Sequence, residues 1–154
     1  MEKDTIQQLM TLNVSDKIEK KNGLSYLSWP WAWGTFLTNF PDAKYEIKMF
    51  DGKPFIYDEK TGYMVFTSVT VDNDTKTMWL PVMDSKNKAM KDHPYKYVVR
   101  GFNNQQKEMV CEAATMFDIN KTIMRCLVKN IAMFGLGLYI YAGEDLPEEE
   151  TIGE

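Results

Sequence analysis

Asp118-Ile119-Asn120-Lys121-Thr122-Ile123-Met124-Arg125-Cys126-Leu127-Val128-Lys129-Asn130-Ile131-Ala132-Met133-Phe134 is the stretch on which the fold turns. Its apolar residues at 119, 123, 124, 127, 128, 131 and 134 recur with the 3.6-residue period and predict a helix with one buried face. Asp118 marks its start, and Gly135 and Gly137 mark its end. Lys121, Arg125 and Lys129 fall at i, i+4 and i+8, drifting only about 40° per step. They form a basic line about 12 Å long, opposite or beside the apolar face. Asn120, Thr122 and Asn130 add neutral donors, and no acid interrupts the line after Asp118.

Working outward, the chain before this helix is rich in strands. Segments 45–50, 55–57, 63–72 and 77–82 are β-branched or aromatic runs, punctuated by Asp51-Gly52, Thr61-Gly62 and Asp72-Asn73-Asp74. The last two read as a long β-hairpin turning near Asn73. Residues 83–108 are polar and basic, carrying Lys86, Lys88, Lys91, Lys96, Arg100 and Lys107. They read as a mobile connection with room for one short helix at 87–91. Beyond the long helix, Leu138-Tyr139-Ile140-Tyr141 reads as a short closing strand.

Toward the N-terminus, Trp29-Pro30-Trp31-Ala32-Trp33 predicts a second helix, with Ser28 as its cap and Pro30 in its first turn. Residues 1–22 form a polar segment with a short amphipathic piece around Ile6, Leu9, Met10 and Leu12. The expected fold class is therefore α+β: an antiparallel β-sheet with a long β-hairpin, packed against helices, the longest near the C-terminus. The expected organisation is an N-terminal polar segment 1–22, one domain at 23–143 and an acidic tail 144–154.

The bulk composition suits one soluble domain. The chain has 154 residues, 44% of them hydrophobic, with four Trp, eight Tyr and eight Phe, enough to form a substantial core. No apolar run approaches the roughly 18 to 20 residues of a membrane span. The charged start Met1-Glu2-Lys3-Asp4 does not resemble a secretory signal. Cys111 and Cys126 lack metal-type spacing and are expected to be reduced core thiols in a cytosol. The net charge is −4, but residues 144–154 hold six acids and no base, leaving 18 bases against 16 acids in residues 1–143. Such a tail either solvates the end of the chain, binds partners or competes with a nucleic acid.

Few residues suggest catalysis. His93 stands alone beside Pro94 in the polar connection, and there is no zinc motif. No glycine-rich phosphate loop with Lys-Ser or Lys-Thr occurs, so ATP-driven strand exchange is not expected. Asp42, Glu46 and Lys48 resemble the acid and Glu-x-Lys pair of one metal-dependent nuclease class. Their spacing is very short for it, and an exposed strand of alternating charge explains them equally well.

The basic line of Lys121, Arg125 and Lys129 could follow several phosphates of an extended single strand, though a solvated basic helix face has the same spacing. Trp29 and Trp33 share a face with Phe36, Leu37 and Phe40, which suits packing on the sheet or on another subunit better than base stacking. Tyr63, Met64, Phe66, Met78 and Trp79 offer hairpin faces that a neighbour could cover, and eleven methionines suit adaptable interfaces.

Taken together, four ordered segments carry a resemblance. These are 24–33 (Leu-Ser-Tyr-Leu-Ser-Trp-Pro-Trp-Ala-Trp), 78–84 (Met-Trp-Leu-Pro-Val-Met-Asp), 87–90 (Asn-Lys-Ala-Met) and 118–139 with its Phe134-Gly135-Leu136-Gly137 end. In this order they resemble the Sak-type single-strand annealing proteins of phages and related mobile elements, over roughly residues 24–147. The resemblance implies a sheet with a prominent hairpin and a following helix, akin to the DNA-binding domain of the eukaryotic annealing mediator. It also implies homo-oligomeric rings or helical filaments in a bacterial host cytoplasm. Single-stranded DNA would lie in a continuous basic groove, backbone inward and bases presented.

In that arrangement Lys121, Arg125 and Lys129 supply the groove cations, with Lys86, Lys88, Lys91 and Arg100 as second-rank DNA contacts. Neither a cofactor nor a catalytic metal is implied. Single-strand binding protein is a possible further partner, although many relatives carry a longer C-terminal region for that purpose. A passive single-strand binding module is the competing reading, and the long helix speaks against its barrel type. Three cations per subunit bind little alone, so the expected functional unit is an assembled groove.

Overall fold

From Val65 onward burial alternates along the central strand β5 (Gly62–Val71), with Val65, Thr67, Val69 and Val71 buried and the residues between them half-exposed. In the computed structural model, which describes residues 2–21 and 23–144, this strand organises the sheet. It pairs antiparallel with β6 (Asp74–Pro81) from Val71↔Asp74 to Met64↔Pro81. The two-residue turn between them has Asp72 and Asn73 at φ 48° and 66°. Short polar side chains tolerate that left-handed backbone, whose twist matches the flanking strands. The opposite edge of β5 pairs with β3 (Lys44–Ile47) and, further along, with β4 (Ile56–Asp58). The antiparallel sheet with its long hairpin is thus as expected.

Helix α3 (Met116–Ala132) packs across β5 and β6, and helix α2 (Trp29–Asn39) packs against α3. Of the expected inward positions of α3, all but Met124 are fully buried. The helix begins earlier than Asp118. Thr115 is its N-cap, accepting from the Asp118 N–H, while the Asp118 carboxylate accepts from the Thr115 N–H at 2.9 Å. This capping box satisfies two donors that a helix start leaves open. In α2 the expected cap position, Ser28, is occupied as predicted, but its side chain makes no cap hydrogen bond.

The core has two lobes joined by α3. One gathers Phe36, Val69, Val71, Leu127, Ile131 and Phe134, with Leu9 of α1 (Lys3–Thr11) and Val14. The other gathers Val65, Leu80, Val82, Cys111, Ile119 and Ile123. Each fully buried side chain of this size contributes about 1.5–3 kcal/mol. Asn130 is the polar exception. Fully buried, its Nδ2 donates to Thr67 O at 3.0 Å, Thr67 Oγ1 at 3.2 Å and Lys76 O at 3.0 Å, clamping α3 to both strands of the hairpin.

Three expectations about local structure fail. Residues 83–108 are not a mobile connection: β7 (Tyr95–Arg100) and β8 (Gln106–Cys111) form an antiparallel hairpin. Tyr95, Tyr97 and Val99 face inward while Lys96, Val98 and Arg100 face solvent, so the charges that looked like loop composition are one face of a strand. There is no helix at 87–91. Asp84 Oδ1 accepts from the N–H groups of Lys86 and Lys88, both at 2.9 Å, and this side-chain-closed turn replaces it.

Residues 138–141 form a 3₁₀ turn, Leu138–Tyr141, and not a closing strand. Gly135 and Gly137 have φ of 115° and 72°, reversing the chain directly into i→i+3 bonds. A side chain at Gly135 would also place a Cβ 3.1 Å from Ile6 O, so α1 can approach only a glycine there. The Tyr139 hydroxyl then accepts from the Val14 N–H at 3.0 Å, fixing the turn against the N-terminal segment. That segment continues into a hairpin of β1 (Ile18–Lys21) and β2 (Leu24–Leu27), which joins residues on either side of position 22.

Candidate nucleic-acid interface

Burying the 119/123/127/131 face of α3 leaves Lys121, Arg125 and Lys129 on its outer side, Lys121 exposed and the other two half-exposed. Each is seated over an aromatic ring drawn from a different part of the chain. Lys121 Nζ lies 5.7 Å from the Phe117 ring, one turn earlier on α3. The Arg125 guanidinium stacks 4.3 Å from Tyr26 of β2, and Lys129 Nζ lies 5.6 Å from Tyr141 of the 3₁₀ turn. A ring face attracts a cation without neutralising it, so each charge is positioned yet remains available to an anion. Among the described residues no carboxylate forms a salt bridge with any of the three.

The stripe borders a run of clefts. The first, about 270 Å³, is lined by Trp29, Phe117, Asn120, Lys121 and Arg125. Arg125 is shared with a small second cleft that also holds Tyr26, Lys129, Tyr141 and Glu144. Lys129 and Tyr141 are shared with a third, of about 620 Å³, whose other walls are largely apolar: Met10, Trp79, Met133 and Leu138. Glu144 is the one acid lining this run among the described residues. Its carboxylate accepts from the Ser25 N–H at 2.7 Å, which holds it at the middle cleft. Burial pushes the Tyr141 phenol pKa up, Glu144 adds to the rise and Arg125 opposes it, so Tyr141 stays neutral beneath Lys129.

Two of the expected neutral donors do not join the stripe. Thr122 is buried and its hydroxyl donates to Asp118 O, and Asn130 is spent on the hairpin clamp. Asn120 alone is exposed. The second-rank cations also stand apart. Lys88 and Lys91 lie over Tyr97 and Tyr95 at 5.0 Å each, Lys86 sits in the Asp84 turn, and Arg100 ends β7. None of the four lines the clefts along α3. Trp29 and Trp33 of α2 diverge as well: Trp33 packs edge-on against Tyr45 at 5.1 Å, while Trp29 is 42% exposed in the first cleft.

Asp42, Glu46 and Lys48 are all exposed, and the Lys48 ammonium lies over the Phe50 and Phe66 rings at 5.5 and 5.8 Å. Among the described residues no three His, Cys, Asp or Glu side chains gather where they could hold a metal ion. His93 Nδ1 is 2.6 Å from Asp92 Oδ1, which the Tyr57 hydroxyl also reaches at 2.9 Å. The pair is exposed, and no cleft along α3 includes it.

A sheet with a prominent hairpin, followed by a helix that carries a line of cations, is the arrangement that the resemblance implied. Residues 4–153 match the family Sak Single Strand Annealing Protein. The chain belongs to that family. The match extends the resemblance at both ends, into α1 and beyond the 3₁₀ turn. No curated protein and no solved structure matches the chain. Single-strand annealing is thereby the activity to which this Sak-family chain is assigned, and DNA binding follows from it. No helix among the described residues is long and apolar enough to cross a membrane.

Sequence reasoning located the three cations of this Sak-family chain but not the rings beneath them. Phe117 had a readable signal, lying one turn before Lys121 on the same helix. Tyr26 and Tyr141 lie far from α3's cations in sequence or across a glycine reversal, and only the fold brings them there. Of the expected acidic tail 144–154 only Glu144 lies among the described residues, and its carboxylate is anchored at the Ser25 N–H.

Proposed function

We propose that the chain is an ATP-independent protein that binds single-stranded DNA along α3 and anneals complementary strands in homologous recombination of a phage or mobile genetic element. One observation carries this reading: three cations, each seated on a ring and none ion-paired among the described residues, follow one another along connected clefts on a helix whose other face is buried. Phosphates supply most of the affinity of such a surface, and a fixed line of cations meets a strand without first being ordered.

The working unit is a homo-oligomer, ring or filament, in which neighbouring α3 stripes join. Three contacts per subunit become firm binding only when many subunits engage one strand. Two features supply candidate contact surface between copies. The strand β6 pairs only with β5 among the described residues, and Trp79 on it is 56% exposed at the apolar third cleft. A strand held extended has already lost much of its conformational freedom, so base pairing with a complement proceeds on stacking energy alone. The host cell's cytoplasm is the expected setting, with single-strand binding protein as a candidate partner.

An annealing assay tests this reading. Purified protein should accelerate pairing of complementary oligonucleotides without nucleotide or divalent metal, and light scattering should report a large oligomer. A monomer that leaves the pairing rate unchanged contradicts it. Binding without acceleration would instead identify a passive single-strand binding module.

A further inference from the structure

The cleft at the N-terminal end of the stripe differs from the rest of the groove. Two rings from two helices line it: Trp29 at the start of α2 and Phe117 in the first turn of α3, the latter 73% exposed. Lys121 and Arg125 border it, and no acid lines it among the described residues. The Asn120 side-chain amide, also in its wall, is exposed and makes no hydrogen bond among the described residues. At about 270 Å³ it is below the size of typical small-molecule pockets, which suits a single ring system.

We propose that the cleft between Trp29 and Phe117 is a nucleobase-stacking subsite, which takes one unstacked base of a single strand whose flanking phosphates lie on Lys121 and Arg125. This deepens the DNA-binding reading of α3 and rests on it. The chemistry of the walls favours a nucleotide over an apolar protein segment. A nucleotide combines an aromatic face, a polar edge and an anionic link, and the cleft offers rings, an amide and cations to match. An apolar segment of another chain would cover the rings but leave both cations unpaired.

Only a single strand can use this subsite. In a duplex each base is covered on both faces by its neighbours, so entry would require unstacking. The subsite therefore holds one base per subunit while intervening bases stay free to pair. It also releases the strand once a duplex has formed, since the stacked base must leave to pair.

The test compares oligothymidylate with an abasic deoxyribose-phosphate strand of equal length, at one salt concentration, with the full-length protein. Base–aromatic stacking is worth roughly 5- to 150-fold in affinity per base. Phe117→Ala should therefore weaken oligothymidylate binding at least about fivefold more than it weakens abasic binding, which loses only the ring beneath Lys121, with Phe117→Trp restoring both. Trp29→Leu should act in the same direction. Lys121→Ala should weaken both strands alike and reduce the salt dependence.

Equal loss on both strands, or no loss on either, in the Phe117→Ala protein overturns the subsite while leaving the groove standing. So does a change in oligomer mass on light scattering, which would make Phe117 a contact between copies. If the unaltered protein binds neither strand, the groove and the subsite fall together.

Discussion

Along α3, Lys121, Arg125 and Lys129 project from one helix whose opposite face is buried and clamped by Asn130, whereas Lys86, Lys88, Lys91 and Arg100 are spread over a turn and a hairpin. Both regions are basic, and both seat cations over rings. They differ in continuity. The α3 cations repeat at one helical spacing along connected clefts, so a strand that met the first would be aligned with the next. On the hairpin side Lys96 is already paired with Glu108 at 3.0 Å, and none of the four candidates lines the α3 clefts. Charge density alone does not make a groove; regular spacing on a rigid support does.

The comparison breaks most readily on the triple variant Lys121→Ala/Arg125→Ala/Lys129→Ala. It should lose about 100-fold or more in affinity for single-stranded DNA, since each subunit of an oligomer loses three phosphate contacts. Fluorescence anisotropy measures this, with circular dichroism to verify the fold. The rigid support is probed next. Asn130→Ala strands the carbonyl acceptors on Thr67 and Lys76 and opens a cavity, so chemical denaturation should show a loss of about 2 kcal/mol.

The hairpin-side variant Lys86→Ala/Lys88→Ala/Lys91→Ala/Arg100→Ala should cost less than about tenfold in the same anisotropy experiment. A loss equal to that of the α3 variant would erase the distinction between the two regions. The smallest effect belongs to Lys96→Ala, which removes an exposed ion pair and should change stability by less than about 1 kcal/mol.

The buried side of α3 makes a separate prediction. Burial raises the pKa of both Cys111 and Cys126, and the Cys126 thiol donates toward Met78 O at 3.4 Å. A raised thiol pKa keeps the reactive thiolate scarce at neutral pH. Both cysteines should resist a thiol reagent in the native protein and react promptly once denaturant is added.

How far the sequence could be read depended on where each signal lay. The α3 period and the alternation around Asp72-Asn73 are local patterns, and both the helix and the hairpin stand where they were expected. The strand pair β7–β8 was also locally visible, in Tyr95, Tyr97 and Val99 alternating with Lys96, Val98 and Arg100, but its charged face read as loop composition. Residues 138–141 failed for a different reason. Four apolar residues carry no period, and the backbone angles of Gly135 and Gly137 decide their shape.

At the candidate site, the three cations were legible because one helix sets their spacing. Their ring platforms were mostly not, because Tyr26 and Tyr141 reach α3 only through tertiary packing. Thr122 and Asn130 were misread as surface donors, since both lie on the flank that turns under toward the sheet.

The central claim is that Lys121, Arg125 and Lys129 bind phosphates of a single strand. Its most direct test is the slope of log affinity against log salt concentration, for the unaltered protein and the triple alanine variant on the same oligonucleotide. Each phosphate contact on a single strand contributes about 0.7 to that slope, so removing three per subunit should flatten it by about 2 for each subunit engaged. A folded variant whose slope equals that of the unaltered protein would contradict the account.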